Sequence, residues 1–142
     1  MEPRAHFVTL AYADVPAARA FYVERLGWPV LFEGDGIVMI PVGEALVLSL
    51  WDERDFTAEV GPVRKGYGVV PMTLAHNCRN RTEVDQVLAV AAAAGAPVVA
   101  AVERAWGGYS GYFTDPGGFR WEVAWNPYPI GQFVRPDVET ES

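Results

Sequence analysis

The residues of this sequence best equipped for chemistry gather near its end, between Trp106 and Trp125. Strand-like alternation over Arg120–Trp125 puts Arg120, Glu122 and Ala124 on one face and Trp121, Val123 and Trp125 on the other. If Glu122 faces a ligand, Trp121 and Trp125 belong to the core. A carboxylate set among aromatic groups tends to have a raised pKa, which suits a general base or an acceptor for a ligand amine. Equally, Glu122 could be tied in an ion pair with Arg120 or another arginine. Trp51, Trp106, Tyr109 and Tyr112 supply flat surfaces, and flat aromatic walls with one acid suit a planar or cationic organic molecule. Trp51 and Trp106 are equally open to a role in the core or an interface.

Other candidate chemistry is weaker. Cys78 has no base near it in sequence and reads as a buried structural thiol. Ser49 and Ser110 lack the surroundings of an activated serine. The glycines from Gly107 to Gly118 follow no strand-to-helix pattern, so they are not a phosphate loop. Eleven Lys+Arg against eighteen Asp+Glu give a net charge of −7, which disfavours nucleic acid and anionic membranes as partners. A single cysteine forbids an internal disulfide and fits a cytoplasmic location. The sequence shows no signal-peptide pattern and no apolar run of the ~18 residues that a membrane span needs.

The elements that must position these groups repeat. A strand over 7–12 precedes a helix capped by Asp14, with Pro16 in its first turn and Ala17, Ala20, Phe21 and Leu26 as its apolar stripe. Further strands run over 30–33, 37–41 and 45–51. The polar stretch 53–68 reads as a linker. The pattern then recurs: a strand over 69–78, a helix opened by Asn80 and Glu83 with a stripe of Val84, Val87, Leu88 and Ala91, and strands over 98–102, 109–114 and 119–125. Leu26-Gly-Trp-Pro-Val30 and Ala94-Gly-Ala-Pro-Val98 mark the same helix exit twice, which points to a duplicated module. The expectation is an α+β chain of two βαβββ modules, the first over about 5–52 and the second over about 69–127. A polar tail over 128–142 is expected to fray.

Two stretches resemble the vicinal oxygen chelate superfamily of glyoxalases, bleomycin-resistance proteins and extradiol dioxygenases. The strand and aspartate Val8-Thr-Leu-Ala-Tyr-Ala-Asp14, with Phe21-Tyr22 and Leu26-Gly27, resemble its opening. The run from Trp106 through Asp115-Pro-Gly-Gly118 to Glu122 resembles its closing hairpin. The resemblance implies a curved, cup-shaped mixed sheet with helices outside, formed by the whole chain as a single domain. It also implies a homodimer, with modules paired within one chain or swapped between two. Phe7 and Thr9, with Ala11, would line the cup from the first strand, beside Trp51, Trp106, Tyr109, Tyr112, Arg120 and Glu122. Enzymes of the family usually hold a divalent ion with His and Glu ligands from the first and last strands of each module. Glu122 matches the last of these. Phe7 stands where the first histidine is usual, and His6 is one residue early, on the opposite strand face. Val47-Leu-Ser-Leu50 offers no ligand, and His76 has an unsettled register.

No metal or cofactor is therefore expected, with a divalent ion on His6, His76 and Glu122 as the alternative. The first functional reading is a metal-independent protein that sequesters an aromatic or cationic small molecule such as an antibiotic. The second is a glyoxalase-like lyase or isomerase with Glu122 as its catalytic residue. The third is a dimeric scaffold without a ligand. The sequence does not identify the ligand.

Overall fold

A computed structural model describes residues 1–140. The chain divides into two compact units, Met1–Gly68 and Val69 onward. In the first unit, β1 (Phe7–Tyr12) leads to α1 (Val15–Arg19), then β2 (Phe32–Gly34), β3 (Ile37–Pro41), β4 (Val47–Asp52) and α2 (Glu53–Glu59). In the second, β5 (Thr73–Cys78) leads to α3 (Arg81–Ala93), β6 (Val98–Glu103), β7 (Tyr109–Thr114), β8 (Arg120–Trp125) and α4 (Pro129–Val134). The strands form two four-stranded mixed sheets, ordered β1-β4-β3-β2 and β5-β8-β7-β6. In each, the first strand returns to pair in parallel with the last, so the helix between them must cross over one sheet face.

Alternation then divides each sheet into a covered and an open face. Leu10 and Tyr12 on β1 and Leu48 and Leu50 on β4 are buried beside Val15, Ala18, Phe21 and Tyr22 of the first helix. Cys78, Trp121, Val123 and Trp125 are buried on the corresponding face of the second sheet, with Val84, Leu88 and Ala91 of α3. The duplicated helix exit is real in conformation. Gly27 and Gly95 both hold positive φ, 74° and 96°, where a side chain would be strained.

The first helix departs from the expected stripe. α1 continues into a π-helical segment over Ala20–Arg25, where Leu26 N–H bonds Phe21 O at 2.9 Å. One extra residue in the turn rotates the residues beyond it by roughly 100°. Consecutive Phe21 and Tyr22 both turn inward as a result, in edge contact at 5.0 Å, while Ala17, Ala20 and Leu26 stay only half-buried.

The stretch read as a linker contains α2. Asp52 caps it by accepting from Arg54 N–H at 2.8 Å, and Phe56 meets Trp51 edge-on at 5.9 Å. The tail is also structured through its described part. Glu139 N–H bonds Arg79 O, Trp125 Nε1 donates to Glu139 O at 2.8 Å, and Asn80 Nδ2 donates to Glu139 Oε1. Residues 141–142, the end of the tail expected to fray, lie outside the described residues. β5 begins at Thr73 rather than 69, beyond Pro71, which has no N–H to give a ladder. β2 runs over Phe32–Gly34 rather than 30–33, although Leu31 N–H already bonds Met39 O at 2.8 Å.

The start of α3 is held by the expected pair. Asn80 accepts from Glu83 N–H at 2.8 Å, and the Glu83 carboxylate accepts from Arg79 N–H. That bond, with Arg135 and Arg79 nearby, holds the Glu83 carboxyl below its ordinary 4.5. A carboxylate with a depressed folded pKa stabilises the fold above its unfolded pKa, and this is lost as pH falls through the folded value. Asn80→Ala is expected to lose about 1 kcal/mol in urea unfolding at pH 7. In Glu83→Gln, the fall in stability as pH drops below about 4.5 is expected to be shallower than in the unaltered protein.

Candidate functional site

The parallel register of β5 with β8 decides what shares a face with Glu122. Thr73, Ala75 and Asn77 stand opposite Arg120, Glu122 and Ala124. On the other flank of β8, Thr114, Tyr112 and Ser110 stand opposite the same three residues. The open face of the second sheet therefore has three cross-strand rows: Thr73–Arg120–Thr114, Ala75–Glu122–Tyr112 and Asn77–Ala124–Ser110. Trp121 and Trp125 point to the opposite, covered face, as alternation requires.

The middle row carries the strongest polar contact. Tyr112 donates its phenol to Glu122 Oε2 at 2.8 Å, and both side chains are half-buried. This bond, with burial and the negative charge of Glu122, raises the Tyr112 pKa above its ordinary 10, so the phenol keeps its proton at neutral pH. Arg104 backs the pair. Its Nε donates to Ser110 Oγ and its Nη2 to Ser110 O, each at 2.9 Å, and its guanidinium carbon lies 5.7 Å from the centre of the Tyr112 ring. Arg104 and Ser110 were not legible as site residues. Arg104 reaches Ser110 only because β6 and β7 form a hairpin, and a bulge between Val99 and Val102 shifts their pairing.

Tyr109 is separated from this group. It lies on the covered face, where its hydroxyl donates to Asp85 of α3 at 2.8 Å. Trp106 sits in the β6–β7 turn with its ring over Gly108, where a Cβ would collide with it. It precedes Tyr112 by six residues, in the turn before Tyr109, and Tyr109 is itself three residues, roughly 10 Å, along the strand from the Glu122 row. Phe7, Thr9 and Trp51 share the open face of the first sheet, with Phe7 and Trp51 four residue pairs apart along the β1–β4 ladder. Thr9 stands opposite Ser49, and Ala11 opposite Trp51. Phe7 is 55% exposed and Ser49 is buried. No acidic or imidazole side chain occupies that face on β1, β3 or β4. The first unit also has an open cleft of about 560 Å³ lined by Asp52, Glu53, Arg54 and Lys65. Its charges are paired internally, Arg54 with Asp52 and Lys65 with Glu53.

A divalent ion does not fit these donors. Ser49 in β4 takes the place that Glu122 takes in β8, opposite the middle of the first strand, and a neutral serine is a poor ligand. His76 stands opposite Val123, on the face away from Glu122. Burial and the Arg135 charge push its pKa down. His6 precedes β1 and is exposed, and its carbonyl accepts from Val47 N–H. Among the described residues, no three His, Cys, Asp or Glu side chains gather as a metal site would need. No described helix is long and apolar enough to cross a membrane.

The comparisons with known proteins agree with this topology. The family model of the Glyoxalase/Bleomycin resistance protein/Dioxygenase superfamily matches residues 4–123. A glyoxalase-related enzyme from Fulvimarina pelagi is 32% identical, with a TM-score of 0.78 over 88% of this chain and 89% of that one. A lactoylglutathione lyase from Agrobacterium tumefaciens is 25% identical, with a TM-score of 0.69 over 89% and 96%. A glyoxalase/bleomycin resistance protein/dioxygenase from Nocardioides is 21% identical, with a TM-score of 0.76 over 88% and 84%. No curated protein matches the chain.

Cys78 plays no part in this group. It is fully buried opposite Trp125, and burial pushes its thiol up to about 12 from an ordinary 9.0. Alkylation by iodoacetamide at pH 8 is expected to run about a thousandfold slower than for an exposed thiol, and to reach the ordinary rate once the protein is unfolded in urea.

Proposed function

The chain belongs to the glyoxalase/bleomycin resistance protein/dioxygenase superfamily, and from that premise we propose that it binds a small organic molecule without a metal ion, at the open face that carries Glu122. One observation carries this reading. Glu122 is the only carboxylate among the cross-strand rows of that face, and Tyr112 holds it by Oε2 alone. A carboxylate fixed through one oxygen keeps the other for a donor on a ligand. The Tyr112 ring beside Glu122 favours a planar or cationic ligand, and sequestration of a compound such as an antibiotic is the activity that needs nothing more.

A second reading is a lyase or isomerase with Glu122 as proton acceptor. It is favoured by the likeness to the Agrobacterium lactoylglutathione lyase and by the place of Glu122 on the last strand. Its need for a Lewis acid is where the two readings part, because the donors here supply one carboxylate.

The deciding experiment is metal analysis of protein purified without an affinity tag, followed by calorimetric titration with Zn²⁺, Ni²⁺ and Mn²⁺ and a tryptophan-fluorescence screen of planar aromatic amines. The expected result is no stoichiometric metal, no binding heat, and quenching that weakens about tenfold in Glu122→Gln. Near-stoichiometric metal that disappears in Glu122→Ala would overturn the proposal and favour the enzyme.

A further inference from the structure

Arg120 differs from the other arginines of the chain. Arg4, Arg19, Arg54, Arg79, Arg81 and Arg135 hold carboxylates, and Arg104 is fixed on Ser110. Arg25 and Arg64 have no such partner but stand exposed in solvent. Among the described residues, Arg120 alone is withdrawn from solvent to half-burial without a hydrogen bond or ion pair to the protein. Partly desolvating a guanidinium costs free energy that an anionic partner offsets, so a half-buried arginine left free is a position waiting for one.

The obvious internal partner is near but does not take it. Glu122 lies two residues along the same strand face, roughly 7 Å away by strand geometry, and gives its Oε2 to Tyr112 instead. Thr73 and Thr114 flank Arg120 in the same cross-strand row and bring hydroxyls to that level of the sheet. The face thus presents a free cation beside two hydroxyls in one row, and a fixed carboxylate in the next. A guanidinium recognises a carboxylate in a planar, two-bonded fashion. A carboxylate with one free oxygen recognises an ammonium or hydroxyl.

Resting on the proposed ligand site, we infer that the ligand is amphoteric: it carries an oxyanion, most simply a carboxylate, for Arg120 and a cationic or hydroxyl donor for Glu122, about 7 Å apart. Neither a simple amine nor a simple acid uses both rows. The charge pattern thereby selects amino-acid-like molecules over purely cationic ones.

Three probes of matched shape test this: 4-(aminomethyl)benzoate, benzylamine and benzoate, titrated against the full chain and followed by tryptophan fluorescence and amide-proton NMR shifts on β7 and β8. The expected order has the amphoteric probe about tenfold tighter than either of the others. Arg120→Gln is expected to bring it down to the affinity of benzylamine, and Glu122→Gln to that of benzoate. Arg120→Lys, which keeps the charge without the fork, is expected to retain part of the advantage. Unchanged melting temperatures in these variants show that the losses are local. Benzylamine binding as tightly as the amphoteric probe, with no effect of Arg120→Gln, would overturn the inference and leave the binding reading standing. Absence of binding by all three would overturn both.

Discussion

Each unit is organised by one pairing, the parallel ladder between its first and last strands. Parallel neighbours need a crossover, and here the crossover is a helix that covers one face of the sheet. With that face sealed by Leu10, Tyr12 and the first helix in one unit, and by Val123, Trp125 and α3 in the other, everything of opposite parity lies on the open face. Glu122 lies on the opposite face because Trp121 and Val123 on either side of it are committed to the core. The same ladder turns His76 away from Glu122, since it stands opposite Val123 and a one-residue offset reverses a side chain.

The two units share this frame and differ in what they place on it. The open face of the first sheet pairs Thr9 with Ser49 and sets Trp51 beside Ala11, a surface without charge. The second sets Arg120, Glu122 and Tyr112 side by side, with Arg104 bonded to Ser110 behind them. Duplication supplies two copies of one scaffold, and chemistry then depends on a few alternate positions in the last strand of each.

Stability and the polar group are largely separate. The π-helical turn buries Phe21 and Tyr22 together, and Asn80, Glu83, Arg135 and Glu139 fasten the start of α3 to the C-terminal segment. None of these residues belongs to the Glu122 face. Arg120 and Glu122 can therefore be substituted without removing any of these contacts.

The sequence alone determined the strand and helix order, the caps at Asp14 and Asn80, the paired glycine exits, and the division of β8 into Arg120 and Glu122 on one face and Trp121 and Trp125 on the other. These are local properties: alternation, capping and backbone freedom act over a few residues. It left α2 and the C-terminal segment unread: α2 is a short polar helix anchored where Phe56 meets Trp51, and the C-terminal segment owes its order to remote partners, as Glu139 does to Trp125 and Arg79. The π turn was hidden for a related reason: burial of two adjacent aromatics selects it over the regular helix. Only tertiary structure decided that Tyr109 turns to Asp85 while Tyr112 turns to Glu122, that Arg104 reaches Ser110, and that Arg120 is left without a partner. Each of those outcomes depends on how separate elements meet, in the β6–β7 and β7–β8 hairpins and in the packing of α3, and no periodicity within one strand encodes its register with another.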